Sequence, residues 1–196
     1  DALGLTTTYS YDRMGNLLQT VERLNGQADR VTNYAYDTMG RLTKVTDPLA
    51  GVTEACYDDN GNLKSLTDAC GGTTTYTYDS MGRLLTELNP IGSLYSYTYN
   101  DRGLLKELEN ARGQKTTYTY DAIGRVTAMT DELGTVSYTY DNNGNVLTVT
   151  DEQGTIRRTY DALNRVSSYT DTYGKVIRYE YDAVGNLSKL IYPDNT

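Results

Sequence analysis

Tyr118-Thr119-Tyr120-Asp121-Ala122-Ile123-Gly124-Arg125-Val126 is followed, ten residues beyond Asp121, by Asp131-Glu132-Leu133-Gly134. Nearly the same sentence is written nine times. A Tyr-Asp pair, once Tyr-Asn, begins at Tyr11, Tyr36, Tyr57, Tyr78, Tyr99, Tyr120, Tyr140, Tyr160 and Tyr181, at intervals of 25, 21, 21, 21, 21, 20, 20 and 21 residues. A period this regular means that each unit is one supersecondary element that cannot bury a core alone and is stabilised by its neighbours.

Each unit holds two turns, and most of them have the form Asp/Asn-x-x-Gly. The first set pairs Asp12 with Gly15, Asp37 with Gly40, Asp58 with Gly61, Asp79 with Gly82, Asn100 with Gly103, Asp121 with Gly124, Asp141 with Gly144 and Asp182 with Gly185; in the eighth unit Asp161 is followed by Asn164. The second set opens at Asp47, Asp68, Asn89, Asn110, Asp131, Asp151 and Asp171. Asp or Asn at the first position of a type I turn caps it by accepting backbone N–H bonds, and Gly at the fourth takes the left-handed conformation of a G1 bulge. Asn is the residue that best replaces Gly there. Pro48 and Pro90 fit the second turn position, and the long second half of the first unit, Glu22 to Asp29, reads as a longer loop or hairpin tip.

The segments between turns alternate, as in Thr74-Thr75-Tyr76-Thr77-Tyr78, which predicts strands. The expected fold is all-β: antiparallel β-hairpins in a continuous meander, one array over residues 1–196, curling because open twisted sheets rarely exceed about 10 strands. Apolar residues follow the turn Asp by five (Leu42, Leu63, Leu84, Val126, Val146, Val166, Leu187) and often by eight (Val45, Leu66, Met129, Val149, Tyr169, Leu190). An odd difference puts the two on opposite faces unless a bulge intervenes. The spacing leaves that choice open, and either way predicts a sheet covered at least partly on both sides.

Of 20 Tyr, 16 occupy the Tyr-x-Tyr-Asp positions, and the chain has no Trp and no Phe. A ladder such as Tyr76/Tyr78, Tyr97/Tyr99, Tyr118/Tyr120 and Tyr138/Tyr140 stabilises the wall by cross-strand packing or offers a platform for glycans or an unfolded guest chain; the packing reading is preferred. A net charge of −8 disfavours nucleic-acid binding. There is no apolar run long enough for a membrane span, and no signal peptide is visible. The chain starts at Asp1 in mid-pattern and ends inside a repeat, which predicts a piece truncated at both ends. Cys56 and Cys70 lie too far apart along the meander to bridge, so two free thiols are expected.

No catalytic, metal or cofactor site is expected. Without His there is no Ser-His or Cys-His system, and carboxylates repeated in identical surroundings do not form the unequal pair that acid–base chemistry needs. Asp58-Asp59-Asn60-Gly61-Asn62 and Asp141-Asn142-Asn143-Gly144-Asn145 fail the calcium-loop spacing, and no zinc or phosphate-loop spacing occurs. Asn186-Leu187-Ser188, a formal glycosylation acceptor, lies in a predicted strand and is set aside.

The Tyr-Asp-x-x-Gly-Arg/Asn-Leu pattern, spread over essentially the whole chain, resembles the RHS/YD-repeat family. That family includes bacterial polymorphic toxins, wall-associated proteins, toxin-complex C components and teneurins. The resemblance implies hairpins wound into a spiral, hollow shell. It also implies a secreted or cell-surface bacterial protein whose shell encloses a C-terminal toxin or effector domain, released by self-cleavage. The partners it implies are an intramolecular guest domain and neighbouring shell repeats; glycan binding and self-association are the rival readings. The chain carries no variable toxin domain, and Asn89-Pro90-Ile91-Gly92 falls where a repeat turn belongs, so self-cleavage is not carried over.

Overall fold

The computed structural model describes residues 6–23 and 27–193. These residues form strands and turns, with no helix among them. The strands are β1 (Thr6–Tyr11), β2 (Leu17–Arg23), β3 (Arg30–Tyr36), β4 (Leu42–Thr46), β5 (Val52–Tyr57), β6 (Leu63–Thr67), β7 (Thr73–Tyr78), β8 (Leu84–Leu88) and β9 (Leu94–Tyr99). They continue as β10 (Leu105–Glu109), β11 (Lys115–Tyr120), β12 (Val126–Asp131), β13 (Gly134–Tyr140), β14 (Val146–Asp151), β15 (Gly154–Tyr160), β16 (Val166–Thr170), β17 (Val176–Tyr181) and β18 (Leu187–Ile191). Ladders join strands that are consecutive in sequence, all antiparallel. The fold is thus the all-β hairpin array that the alternating Thr, Tyr and Val predict. Two compact units divide between Ser96 and Tyr97, inside β9. The tip of the long first loop, residues 24–26, and the chain ends lie outside the described residues; beside the tip Arg23 pairs with Asp29 at 3.0 Å.

The hairpin of β13 and β14 shows how the sequence makes the turn. Gly144 N donates to Asp141 O, and Asp141 N donates to Asn145 O, closing a type I turn whose fourth residue, Gly144, sits at φ 91°. A second irregularity follows. Tyr140 faces Val146 but Thr139 faces Thr148, so Leu147 is an extra residue in β14. This bulge settles the question left open by the spacing. It brings Val146 opposite Tyr140 and Val149 opposite Tyr138, on one face. The same shift places Leu42 and Val45 opposite Tyr36 and Tyr34, and Val126 and Met129 opposite Tyr120 and Tyr118.

The sheet is therefore two-faced. Tyr, Leu and Val dominate one side and Thr and Ser the other, with exceptions such as Glu87 opposite Tyr76 and Leu88 opposite Thr75. In β11 Tyr118 and Tyr120 are half-buried while Lys115, Thr117 and Thr119 are exposed. Hydroxyls pair across strands on the polar side, as in Thr139–Thr148 at 2.6 Å and Thr130–Thr135 at 2.8 Å. The expectation of cover on both sides is corrected: the bulge gathers most of the apolar residues on one face, and among the described residues no side chain is fully buried.

Two turn details also differ from expectation. At Asp47 the left-handed residue is Ala50, φ 65°, with Gly51 after it. At Asp131 and Asp151 the following Gly134 and Gly154 pair directly with the Asp, so these turns carry no G1 bulge. They are one residue shorter, and they account for the two 20-residue intervals. Cys56 and Cys70 are unbridged and exposed.

Candidate functional site: the junction between repeats

Within each unit the turns opened by Tyr-Asp form one rim of the meander, and the second turns of the repeats form the other. The side chains that the repeat places most regularly meet where one Tyr-Asp turn faces the next. Asp121 accepts from Ile123 N at 3.0 Å and Arg125 N at 2.9 Å through Oδ1, and from Arg125 Nε at 2.6 Å through Oδ2. Arg125 then reaches forward. Its Nη1 donates to Asp141 O at 2.8 Å, and its guanidinium lies 4.6 Å from the centroid of the Tyr140 ring. Tyr140 reaches back, its hydroxyl donating to Val126 O at 2.7 Å. Each of these contacts joins one repeat to the next.

The tyrosine bond recurs: Tyr57 to Leu42 O, Tyr78 to Leu63 O, Tyr120 to Leu105 O, Tyr160 to Val146 O and Tyr181 to Val166 O, all at 2.7–2.9 Å. The acceptors paired opposite a Tyr are the residues at the bulge, where the ladder is locally disrupted. A phenol fills this place and a phenyl ring does not, which accounts for Tyr rather than Phe at these positions of the Tyr-Asp pair. The hydroxyls of Tyr78 and Tyr120 are pushed above the ordinary tyrosine pKa, chiefly by burial.

The turn Asp accepts two backbone N–H groups in each of the other Tyr-Asp turns as well: at Asp12, Asp37, Asp58, Asp79, Asp141, Asp161 and Asp182. Asn100 does the same through Oδ1. The fifth turn position alternates along the chain: Asn16, Arg41, Asn62, Arg83, Leu104, Arg125, Asn145, Arg165, Asn186. This alternation is visible in the sequence once the fifth position is read by itself. Where it is Asn, the side-chain amide bonds the same carboxylate, as Asn145 Nδ2 does to Asp141 at 2.8 Å. Asn62, Asn145, Asn16 and Asn186, by their side-chain bonds first, hold Asp58, Asp141, Asp12 and Asp182 below the usual carboxylate pKa. For Asp37, Asp79 and Asp161 the backbone N–H of Arg41, Arg83 and Arg165 leads the same lowering. At Asp121 burial acts to raise the pKa, but the bonds from Arg125 outweigh it.

Asn164 is more than a tolerated stand-in for Gly. At φ 61° its Oδ1 accepts from Asn143 Nδ2 at 2.9 Å and Asn145 Nδ2 at 2.8 Å of the preceding repeat. The Leu104 side chain has no group to bond Asn100, and there Arg102 instead reaches forward to Asp121 O and Ala122 O. These residues build contacts between repeats, and at one junction Asp37, Arg41 and Tyr57 also line a shallow surface hollow. Among the described residues there is no group of three or more His, Cys, Asp or Glu placed to hold a metal, and no helix long and apolar enough to cross a membrane.

The RHS Repeat model matches residues 23–52, 57–93, 99–136, 120–156 and 160–196. The chain belongs to the RHS-repeat family. The junction of turn carboxylate, forward Arg and backward Tyr is thus an RHS-repeat junction. No curated protein matches the sequence. Among solved structures, TcdB2-TccC3-TEV is similar with a TM-score of 0.81 at 18% identity, over 97% of this chain and 12% of that one. TcdB2-TccC3 without its hypervariable C-terminal region gives 0.68 at 16% identity, over 99% and 14%. The RHS chain described here therefore spans only a small part of the length of these neighbours, and at such identities the likeness is one of fold.

Proposed function

We propose that this RHS array is a stretch of shell wall that encloses a C-terminal effector or toxin region, in a secreted or cell-surface protein. In this reading the repeats of residues 1–196 act as one array, and the Tyr-Asp-x-x-Gly residues are structural parts of the wall, with no enzymatic role. The carrying observation is the two-faced sheet held by repeat-to-repeat bonds. Backbone ladders, turn carboxylates and tyrosine hydroxyls are satisfied within the wall itself, so it holds together as a sheet one layer thick. The fold likeness to TcdB2-TccC3, a protein with a hypervariable C-terminal region, supports the reading.

Limited proteolysis of the polypeptide that carries these repeats tests it. The segment C-terminal to the array should survive protease while the wall is intact, and should be cut once the wall is opened by acid or by Gly124→Val. Digestion of that segment at the same rate with and without the array would sink the proposal.

A further inference from the structure

Two turns of the wall are near twins in sequence and differ in one bond. Asp58-Asp59-Asn60-Gly61-Asn62 and Asp141-Asn142-Asn143-Gly144-Asn145 both place Asn before Gly at the tip. A third such pair, Asn25-Gly26, lies outside the described residues. Asn followed by Gly is chemically labile. The Gly nitrogen can close a five-membered ring on the Asn side-chain carbonyl carbon, and the missing Cβ lets it come close.

The two backbones are held alike. Gly61 N donates to Asp58 O at 3.0 Å and Gly144 N to Asp141 O at 3.2 Å, with the glycines at φ 89° and 91°. Asp58 Oδ1 accepts from Asn60 N and Asn62 N at 3.0 and 2.8 Å; Asp141 Oδ1 accepts from Asn143 N and Asn145 N at 2.9 and 2.8 Å. Both tips are exposed. The side-chain amides differ. Asn143 Nδ2 donates to Asn164 Oδ1 at 2.9 Å, so the group that must swing toward Gly144 N is pinned. In the third turn Asn60 bonds through its backbone N, and among the described residues its side-chain amide has no partner. The residue that would supply one is Gly82, which matches Asn164 one repeat on and also has positive φ, 78°. The surroundings match too: Asn62 Oδ1 lies 3.3 Å from where a Cβ on Gly82 would sit, as Asn145 lies beside Asn164.

We propose that Asn60 is a site of spontaneous deamidation, and that Asn164 protects Asn143 from the same reaction. The Gly61 nitrogen bonds to Asn60 Cγ, the Cγ–Nδ2 bond breaks, and the Gly61 proton leaves with Nδ2 as ammonia. Water then opens the cyclic imide at either carbonyl. One opening leaves an ordinary aspartate. The other routes the main chain through Cβ and lengthens it by one methylene. Both add a carboxylate beside Asp58 and Asp59, and the longer chain draws Asn62 N away from Asp58 Oδ1. The third repeat therefore ages ahead of its twin, whatever the wall encloses.

Peptide mapping by mass spectrometry of the folded 196-residue chain, sampled over weeks at mildly alkaline pH, tests this. Asn60 should convert about fivefold faster than Asn143, the rate factor that one neutral hydrogen bond is worth. In denaturant the rates should come together, because both sites read Asn-Gly-Asn. Asn164→Gly should raise the Asn143 rate and leave Asn60 alone. Gly82→Asn, which supplies the missing acceptor, should slow Asn60 and leave Asn143 alone. No conversion at Asn60, equal rates in the folded chain, a difference that persists in denaturant, or rates indifferent to both variants would overturn the proposal.

Discussion

The turns at Asp121 and Asp141 are neighbours, fold alike, and hold to the next repeat by different means. At the first, Arg125 spans the junction with a charge-assisted bond to Asp141 O and a stacked guanidinium on Tyr140. At the second, Asn145 is too short to stack, and the junction is bridged by neutral amides from Asn143 and Asn145 to Asn164. The pair shows that the repeat conserves the turn and varies the bridge. A long cationic arm in one repeat is followed by a short neutral one in the next, so successive guanidiniums do not crowd.

The largest expected effect removes what the two turns share. A carboxylate whose folded pKa lies below its unfolded value stabilises the fold above the unfolded pKa, and that contribution is lost as pH falls through the folded pKa. Both Asp121 and Asp141 are held low, as are their counterparts in the other repeats. Stability should therefore be level near neutral pH and fall steadily below about pH 4, as circular dichroism melts in a pH series will show. A flat profile down to pH 2 would mean that the turn carboxylates carry no stability.

Next comes backbone strain. Gly124→Val forces a β-branched residue to φ 91° and should cost about 2 kcal/mol in chemical denaturation. The comparison sharpens at Asn164, where Asn164→Gly relaxes the backbone but removes the acceptor for two amides; no gain in stability is expected despite the easier φ. Smaller again is Tyr140→Phe, which leaves the Val126 carbonyl unpaired and should cost about 1 kcal/mol. Tyr11→Phe, on the edge strand at 59% exposure, should be close to neutral, and equal losses at the two sites would discount the hydroxyl bond. Arg125→Gln removes the ion pair with Asp121 and the bond to Asp141 O together with a cation–π contact itself worth about 0.5–1 kcal/mol. Its cost should shrink in high salt, whereas that of Asn145→Ala should not change with salt.

The repeat, the hairpin turns and the carboxylate caps were all readable from residue spacing, because Asp-x-x-Gly acts within five residues. The facing of the apolar residues was not. Val146 and Val149 look opposed by parity, and only the extra Leu147 in the ladder aligns them. No residue type announces that bulge. The hydroxyl partner of Tyr140 lies fourteen residues back, beyond any local pattern. The Arg and Asn alternation was present in plain letters; it is hidden by reading each repeat as a copy of the last.

The tyrosine bond has a direction. In each of these junctions the hydroxyl of a later repeat reaches a carbonyl of the one before it, and contacts run between neighbours in sequence. A chain leaving the ribosome N-terminus first can thus finish each hairpin with the next one to emerge. Loops to be closed stay short, and there is no need to wait for a distant segment. Built in that order, the wall would grow at one edge, each new repeat closing on the one before it.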